Sequence, residues 1–277
     1  NQQNPQLLNL FTDAEGNVLS WMMIVSTMGW GLGYFGQPHI LARFMAIRSA
    51  SETGQAATIG VVWALSCYLL AILVGLSGIA YLPEVLPDSE KVFIALTSLI
   101  FHPLIAGILL AAILAAIMST VDSQLLVCSS SLAEDLYPLV TRKDVSAEKR
   151  LQIGRIAVVV LAMMATVLAM EPDNKVLDVV SYAWAGLGAS LGPAILVSLY
   201  WRRMTARGAL AGVLTGGVTV MIWSQAEGGI FDLYALVPGF VLSLVAIVTV
   251  SLMDKRGVDG STEQSFEDMH QQVIASK

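Results

Sequence analysis

Two short constellations in this 277-residue chain combine residue types that can hold a small solute or an ion. The first, GWGLGYFGQPH at 29–39, packs four glycines and a proline into eleven positions of an otherwise apolar helical run. Each Gly lowers helix stability by about 1 kcal/mol and Pro by about 3, so the run predicts an unwound segment. Freed amides and carbonyls in such a break can bind a zwitterionic or ionic solute. Trp30, Tyr34 and Pro38 recur at spacing four and line one face beside the break. The same glycines fit close helix packing, and the aromatics fit an interfacial belt. The stretch by itself leaves both readings open.

The second constellation is AAIMSTVDSQ at 115–124. Ala116, Ser119, Thr120 and Ser123 follow the i, i+3, i+4, i+7 pattern and share one helical face. Two hydroxyls with small neighbours offer hard oxygen ligands and room for backbone carbonyls to approach, as a dehydrated alkali cation requires. Ser and Thr also back-bond to their own helix or join neighbouring helices, so this face too has a structural reading. Asp122 adds weight to function, because an ionisable residue inside a span is by default a functional candidate. It and Ser123 are read as ion-path or gating residues. So is Tyr182, which with Trp184, Gly186 and Gly188 fits either packing or a gate. His39 and His102 have no partner at metal-ligand spacing. The sequence holds no Walker A motif, nucleophile elbow or HExxH pair, so an enzyme has no positive support and nucleotide hydrolysis on this chain drives nothing.

The elements that must position these residues are membrane helices. Hydrophobic residues make up 56% of the chain and charged ones 13%, against roughly 45–50% and 25% in a soluble domain; mean hydropathy is +0.70. A bilayer-spanning helix needs about 20 mainly apolar residues, and seven such runs occur, at 18–41, 56–80, 103–132, 151–170, 176–200, 208–223 and 233–253. This composition excludes a secreted disulfide scaffold, a nucleic-acid binder and a disordered tail. The stretch at 91–101, bounded by Pro87 and Pro103, reads as an interfacial helix or the start of the next span. Cys67 and Cys128 lie in apolar runs without partner spacing and read as buried thiols.

Charge sets the orientation. Alternate gaps hold Arg43 and Arg48, then Arg142, Lys143, Lys149 and Arg150, then Arg202, Arg203 and Arg207; the C-terminal tail holds Lys255, Arg256 and Lys277. The other gaps hold only Lys91 and Lys175, with Arg155 near the foot of a span. This alternation satisfies the positive-inside rule and supports the count of seven, with the N-terminal end outside and the tail inside. Asn1 opens a polar stretch with no basic n-region, which reads as a fragment or processed product. The polar tail from Asp254 reads as a solvated end too short to fold alone.

Taken together, the two constellations, extended to AAIMSTVDSQLLVCSSS at 115–131, resemble the sodium:solute symporter family. LAEDLY at 132–137, VSYAWAGLG at 180–188 and MTARGALAG at 204–212 are similar in order and spacing. Within the family, the pattern is most like bacterial members that carry L-proline. The resemblance implies an all-α polytopic membrane protein with a core of two inverted five-helix repeats and a cation and solute site at mid-membrane between broken helices. This chain would supply the second repeat at 18–200 and two peripheral helices at 201–253. An extracytoplasmic segment at 1–17 and a cytoplasmic tail at 254–277 flank them. By the same resemblance Ser119 and Thr120 give side-chain oxygens to Na+, and Ala116 a backbone carbonyl. Trp30 and Tyr34 contact the solute with Pro38 nearby, and Gly33 and Gln37 in the break complete the candidate set.

The expected function is Na+-coupled symport of L-proline across the bacterial cytoplasmic (inner) membrane by alternating access. Na+ is the coupling ion, and no other cofactor and no nucleic acid takes part. The departure is that the first repeat, which completes both sites, is missing, so the expected partner is the N-terminal half of the same transporter. Two rivals stand beside this reading. One is a symporter for another solute, such as pantothenate, an acetate-like acid or a sugar; no Arg or Lys lies in the first span before Arg43, which favours a zwitterion. The other is a symporter-like membrane sensor, which calls for a long soluble C-terminal extension.

Overall fold

A computed structural model describes residues 9–13, 16–82, 84, 86–141, 146–170 and 176–275. Most of the N-terminal segment and the cations Arg142, Lys143, Lys175 and Lys277 lie outside the described residues. The first span is α1 (Trp21–Gly29), a 3₁₀ segment (Trp30–Gly36) and α2 (Pro38–Met45). There follow α3 (Thr53–Tyr81), α4 (Val92–Ile100) and α5 (Pro103–Ser130), then a π-helical turn (Ser131–Leu136), α6 (Tyr137–Thr141) and α7 (Ala147–Ala169). The chain continues through α8 (Val176–Tyr200), α9 (Ala206–Trp223), α10 (Leu236–Met253) and α11 (Gly260–Ala275). Among the described residues there is no strand, only an isolated bridge between Thr12 and Val18. Among the described residues six helices are long and apolar enough to cross a membrane, and the broken first span makes a seventh segment of similar length. The stretch at 91–101 forms the separate helix α4, because Pro103 and extended Phe101 end it before α5 begins.

The chain divides into two compact units, residues 47–170 and residues 1–46 with 171–277. In the first of these, α3 presents apolar side chains all round: none of its most apolar 18 residues is buried, and Trp63 is 73% exposed. An apolar surface of that extent would aggregate in water, whereas hydrocarbon is its natural solvent. The same fact corrects the reading of the cysteines. Cys67 and Cys128 are exposed, because an apolar run in a membrane helix marks lipid compatibility rather than burial in protein. The third span runs on past its apolar stretch, through the π turn, where the Tyr137 amide donates to the Leu132 carbonyl five residues back. Ala133 in that turn is buried and faces Gly154 of α7.

In the other unit, α8, α9 and α10 close around Ala185, Ala189, Val220, Leu236 and Ile247, each nearly or fully buried. Lipid tails are as apolar as these side chains, so close approach and interhelical hydrogen bonds, rather than water exclusion, hold such helices together. Gly208, Gly212 and Gly216 give α9 a stripe of small residues at spacing four. Ser243 Oγ donates to the Gly212 carbonyl (2.9 Å), and the Thr205 amide donates to Ser251 Oγ (3.2 Å). Thr205 also caps α9, its Oγ1 accepting from the Gly208 amide at 3.2 Å. Buried Pro193 inside α8 has no N–H to give the Ala189 carbonyl four residues back. The backbone of α9 comes down on that carbonyl at Gly216, where a methyl group would collide with it.

The tail, read from sequence as a solvated end, is helical and almost wholly exposed. Residues 260–275 form a helix, α11, opened by Asp259: its carbonyl accepts from Thr262 and Glu263 and its carboxylate from Ser261 Oγ at 2.6 Å. Phe266 stacks on His270 one turn on, with ring centroids 4.6 Å apart.

Replacing Gly216 by valine should cost the purified chain about 1–3 kcal/mol, the usual range for overpacking. Gly107→Ala, where a methyl meets open space, should be neutral or slightly stabilising. Thermal unfolding in detergent reads both, and equal midpoints for the two variants would remove the α8–α9 contact from the account.

Candidate functional site

The break in the first span follows from its residues. Ser20 caps α1, its Oγ accepting from the Met23 amide at 3.2 Å. From Trp30 the backbone tightens to 3₁₀ geometry, and Gln37 is extended at φ −87°, ψ 110°. Pro38 causes the extension, since its ring disfavours helical geometry at the residue before it, and it then occupies the first position of α2, where no donor is needed.

Side chains add hydrogen bonds to the weaker 3₁₀ backbone bonds of this segment. Gln37 is 2% exposed, and its Nε2 donates to the carbonyls of Gly33 (3.2 Å) and Trp184 (3.3 Å). The Trp184 indole Nε1 donates to the Trp30 carbonyl at 3.0 Å. The rings join as well. Trp30 stacks on Trp184 (centroids 6.0 Å apart, 17° between planes) and on Tyr234 (5.5 Å, 14°), while Tyr34 meets Trp184 edge-on at 4.9 Å and 85°. Such pairs contribute about 0.5–1.5 kcal/mol each beyond the area they bury. Tyr234 is anchored at both ends: its hydroxyl donates to the Ser181 carbonyl (2.7 Å) and its amide to Ser26 Oγ (2.9 Å). Glycine makes the approach possible. On Gly33 a Cβ would strike the Trp184 indole, and on Gly188 it would lie 2.7 Å from the Gly33 Cα.

The structure therefore brings Trp30, Gly33, Tyr34, Gln37 and Pro38 together with Trp184 and Tyr234. Gly33 and Gln37 are buried, Trp30 and Pro38 half-buried, and Tyr34 is 41% exposed, so Tyr34 is the ring most open to a ligand. Tyr182 is half-exposed on α8 and outside the stacked rings. Sequence reasoning missed Tyr234 and the part Trp184 plays. The only available signal was that Tyr234 and Trp223 begin and end apolar runs, as belt aromatics also do.

The hydroxyl face lies in the other unit, on α5. Thr120 Oγ1 donates to the Ala116 carbonyl at 3.2 Å and Ser123 Oγ to the Ser119 carbonyl at 2.9 Å, so the back-bonding geometry is present. Each hydroxyl spends its proton on the helix and keeps lone pairs for an outside donor or cation. Ala116, Ser119, Thr120 and Asp122 are exposed and Ser123 half-buried. The Ser119 and Thr120 side chains and the Ala116 carbonyl lie on one exposed stretch of α5.

A model of the sodium:solute symporter family matches residues 2–216, and the chain belongs to that family. It is a multi-pass membrane protein. It is 50% identical over 244 residues to a sodium/proline symporter of Salmonella typhimurium, covering 86% of this chain and 48% of that protein. To the high-affinity proline transporter PutP of Bacillus subtilis it is 48% identical over 269 residues, covering 96% and 55%. To the osmoregulated proline transporter OpuE of Bacillus subtilis it is 45% identical over 262 residues, covering 93% and 52%. These relatives are transporters rather than enzymes, and the chain spans about half their length. No solved structure matches it.

Trp184→Phe keeps an aromatic ring but removes the donor to the Trp30 carbonyl. Losing one net hydrogen bond costs about 0.5–1.5 kcal/mol, so the unfolding midpoint of the purified chain should fall. Trp63→Phe, on the exposed face of α3, should leave it unchanged. A Trp184→Phe midpoint equal to wild type would mean that the indole does not hold the break.

Proposed function

We propose that this chain is the second half of the transport core of a Na+-coupled symporter for L-proline, working by alternating access in the bacterial cytoplasmic membrane. What carries this reading is near-50% identity, over most of the chain, to proteins named as sodium/proline symporters. The broken first span and the hydroxyl face of α5 support it, since discontinuous helices and hard oxygens are what solute and ion sites of secondary transporters use. Residues 18–200 supply the second-repeat helices, 201–253 two further spans and 254–277 a cytoplasmic tail, with the segment at 1–17 outside. A first repeat completes both sites.

In this mechanism Ser119 and Thr120 give side-chain oxygens and Ala116 a carbonyl to Na+. Trp30, Gly33, Tyr34, Gln37 and Pro38 surround the solute, whose ammonium and carboxylate meet polar groups of this segment. Asp122, Ser123 and Tyr182 lie along the ion path or gate. The chemistry is non-covalent. Na+ favours the solute-competent state, and by reciprocity the solute tightens Na+ binding by the same factor.

The test is uptake of labelled L-proline by vesicles carrying the whole transporter, with and without an inward Na+ gradient. Strong stimulation by Na+ is expected. A Na+-driven signal for another solute only would replace proline, and silence for every solute would favour a symporter-like sensor. In the same assay Ser119→Ala or Thr120→Ala should raise the Na+ concentration for half-maximal uptake at least tenfold, with the amount of protein in the membrane unchanged. Unaltered Na+ dependence in both would refute the ion site. Trp30→Ala and Tyr34→Ala should weaken apparent proline affinity while Na+ dependence is largely kept. Intact affinity in both variants would place the pocket elsewhere.

A further inference from the structure

The ends of α8, α9 and α10 that share the turns at 201–207 and 254–256 carry Arg202, Arg203, Arg207, Lys255 and Arg256, and Asp254 is the one acid in those two turns. Asp254 is already engaged. Its side chain is 5% exposed and lies 3.5 Å from Arg207 Nη1, and its carboxylate also accepts from the Arg256 amide at 3.2 Å. It therefore fixes Arg207 and the turn while the cations around it stay in excess. Beside this pair is an open cavity of about 470 Å³ lined by Arg207, Val250, Met253, Asp254, Lys255 and Arg256.

The two sides of this cavity differ. Val250 and the 74%-exposed Met253 belong to the last turn of α10, a helix long and apolar enough to cross the membrane. The cations belong to the turn just beyond it. An apolar wall that gives way to fixed positive charge at the end of a span matches the boundary between acyl chains and head groups. Basic pockets at that depth suit anionic lipids. The adjacent cavity of about 420 Å³, bordered by Thr205, Asp259 and Thr262, contains a second acid, so an anion is better placed on the α10 side. A zwitterionic head group brings its own cation and gains little from three more. We infer that this groove binds the head group of an anionic phospholipid, with the phosphodiester at Lys255 and Arg256, Arg207 held behind them by Asp254, and an acyl chain along Val250 and Met253. The site is independent of which solute is carried.

Titration of the detergent-solubilised chain with phosphatidylglycerol, phosphatidylcholine or inorganic phosphate tests this, with lipid adducts counted by native mass spectrometry and the unfolding midpoint followed in parallel. Phosphatidylglycerol should bind and raise the midpoint, and the other two should not. The double variant Lys255→Gln/Arg256→Gln should weaken phosphatidylglycerol binding by about thirtyfold. Lys149→Gln/Arg150→Gln, which removes the same charge from the other unit, should leave it within twofold. If the double groove variant fails to fold, Lys255→Gln and Arg256→Gln singly carry the test, each with about a fivefold loss. Equal binding of phosphatidylcholine, an equal midpoint shift with phosphate, or an equal loss in the Lys149/Arg150 variant would each overturn the inference.

Discussion

In hydrocarbon, an unsatisfied backbone carbonyl or amide costs several kcal/mol, and no water is at hand to relieve it. The first span tightens to 3₁₀ geometry between Trp30 and Gly36 and is extended at Gln37, where backbone bonds are poorer than in an α-helix, so side chains that add bonds to its carbonyls support it. Gln37 serves the Gly33 carbonyl from within the same span, and Trp184 serves the Trp30 carbonyl from α8. Gln37 also reaches the Trp184 carbonyl, which joins the two supports. The aromatic stack that includes Tyr234 then follows from geometry: once the indole of Trp184 is held at the break, the rings of Trp30 and Tyr34 lie against it.

The same constraint shapes α8 and its neighbours. Pro193 frees one carbonyl in the middle of a span, and the chain answers by bringing the glycine stripe of α9 against it. Serines at 243 and 251 hydrogen-bond across to α9 or its cap, and among the described residues no buried side-chain nitrogen or oxygen lacks a partner. In the other unit α3 has little protein of this chain around it, so its apolar surface is open to lipid or to other protein. Burial, the usual guide to what matters, is therefore a poor guide here, whereas hydrogen-bond accounting is informative.

Much of this was legible in the sequence because membrane helices announce themselves by length and apolarity. The break was legible because Gly and Pro act through local backbone preference, and Gln37–Pro38 adopts the extended step that such a pair requires. The supports were not legible. Trp184 and Tyr234 lie some 150 and 200 positions from Trp30, and nothing in one sequence tells a belt aromatic from one that stacks at a break. The cysteines were misread for a related reason: apolar surroundings in a membrane do not distinguish protein from lipid. The tail helix escaped notice because its residues are polar, while its start is set by a single capping residue, Asp259. At 115–124 the pattern gave the shared face correctly, but the back-bonds at Thr120 and Ser123 needed coordinates.

The π turn at 131–136 can be understood as a matter of counting. Five-residue spacing across Leu132 and Tyr137 places one residue more in that turn than an α-helix would hold, and each α-helical residue advances the face by 100°. The widened turn absorbs that extra step, so the hydroxyl-bearing face before it and the turn that buries Ala133 against α7 each keep their direction. The helix has a splice point there. A chain one residue shorter at this turn could close into plain α-helix without rotating either flank, whereas the same deletion near Ser119 would turn the oxygens away from whatever they face.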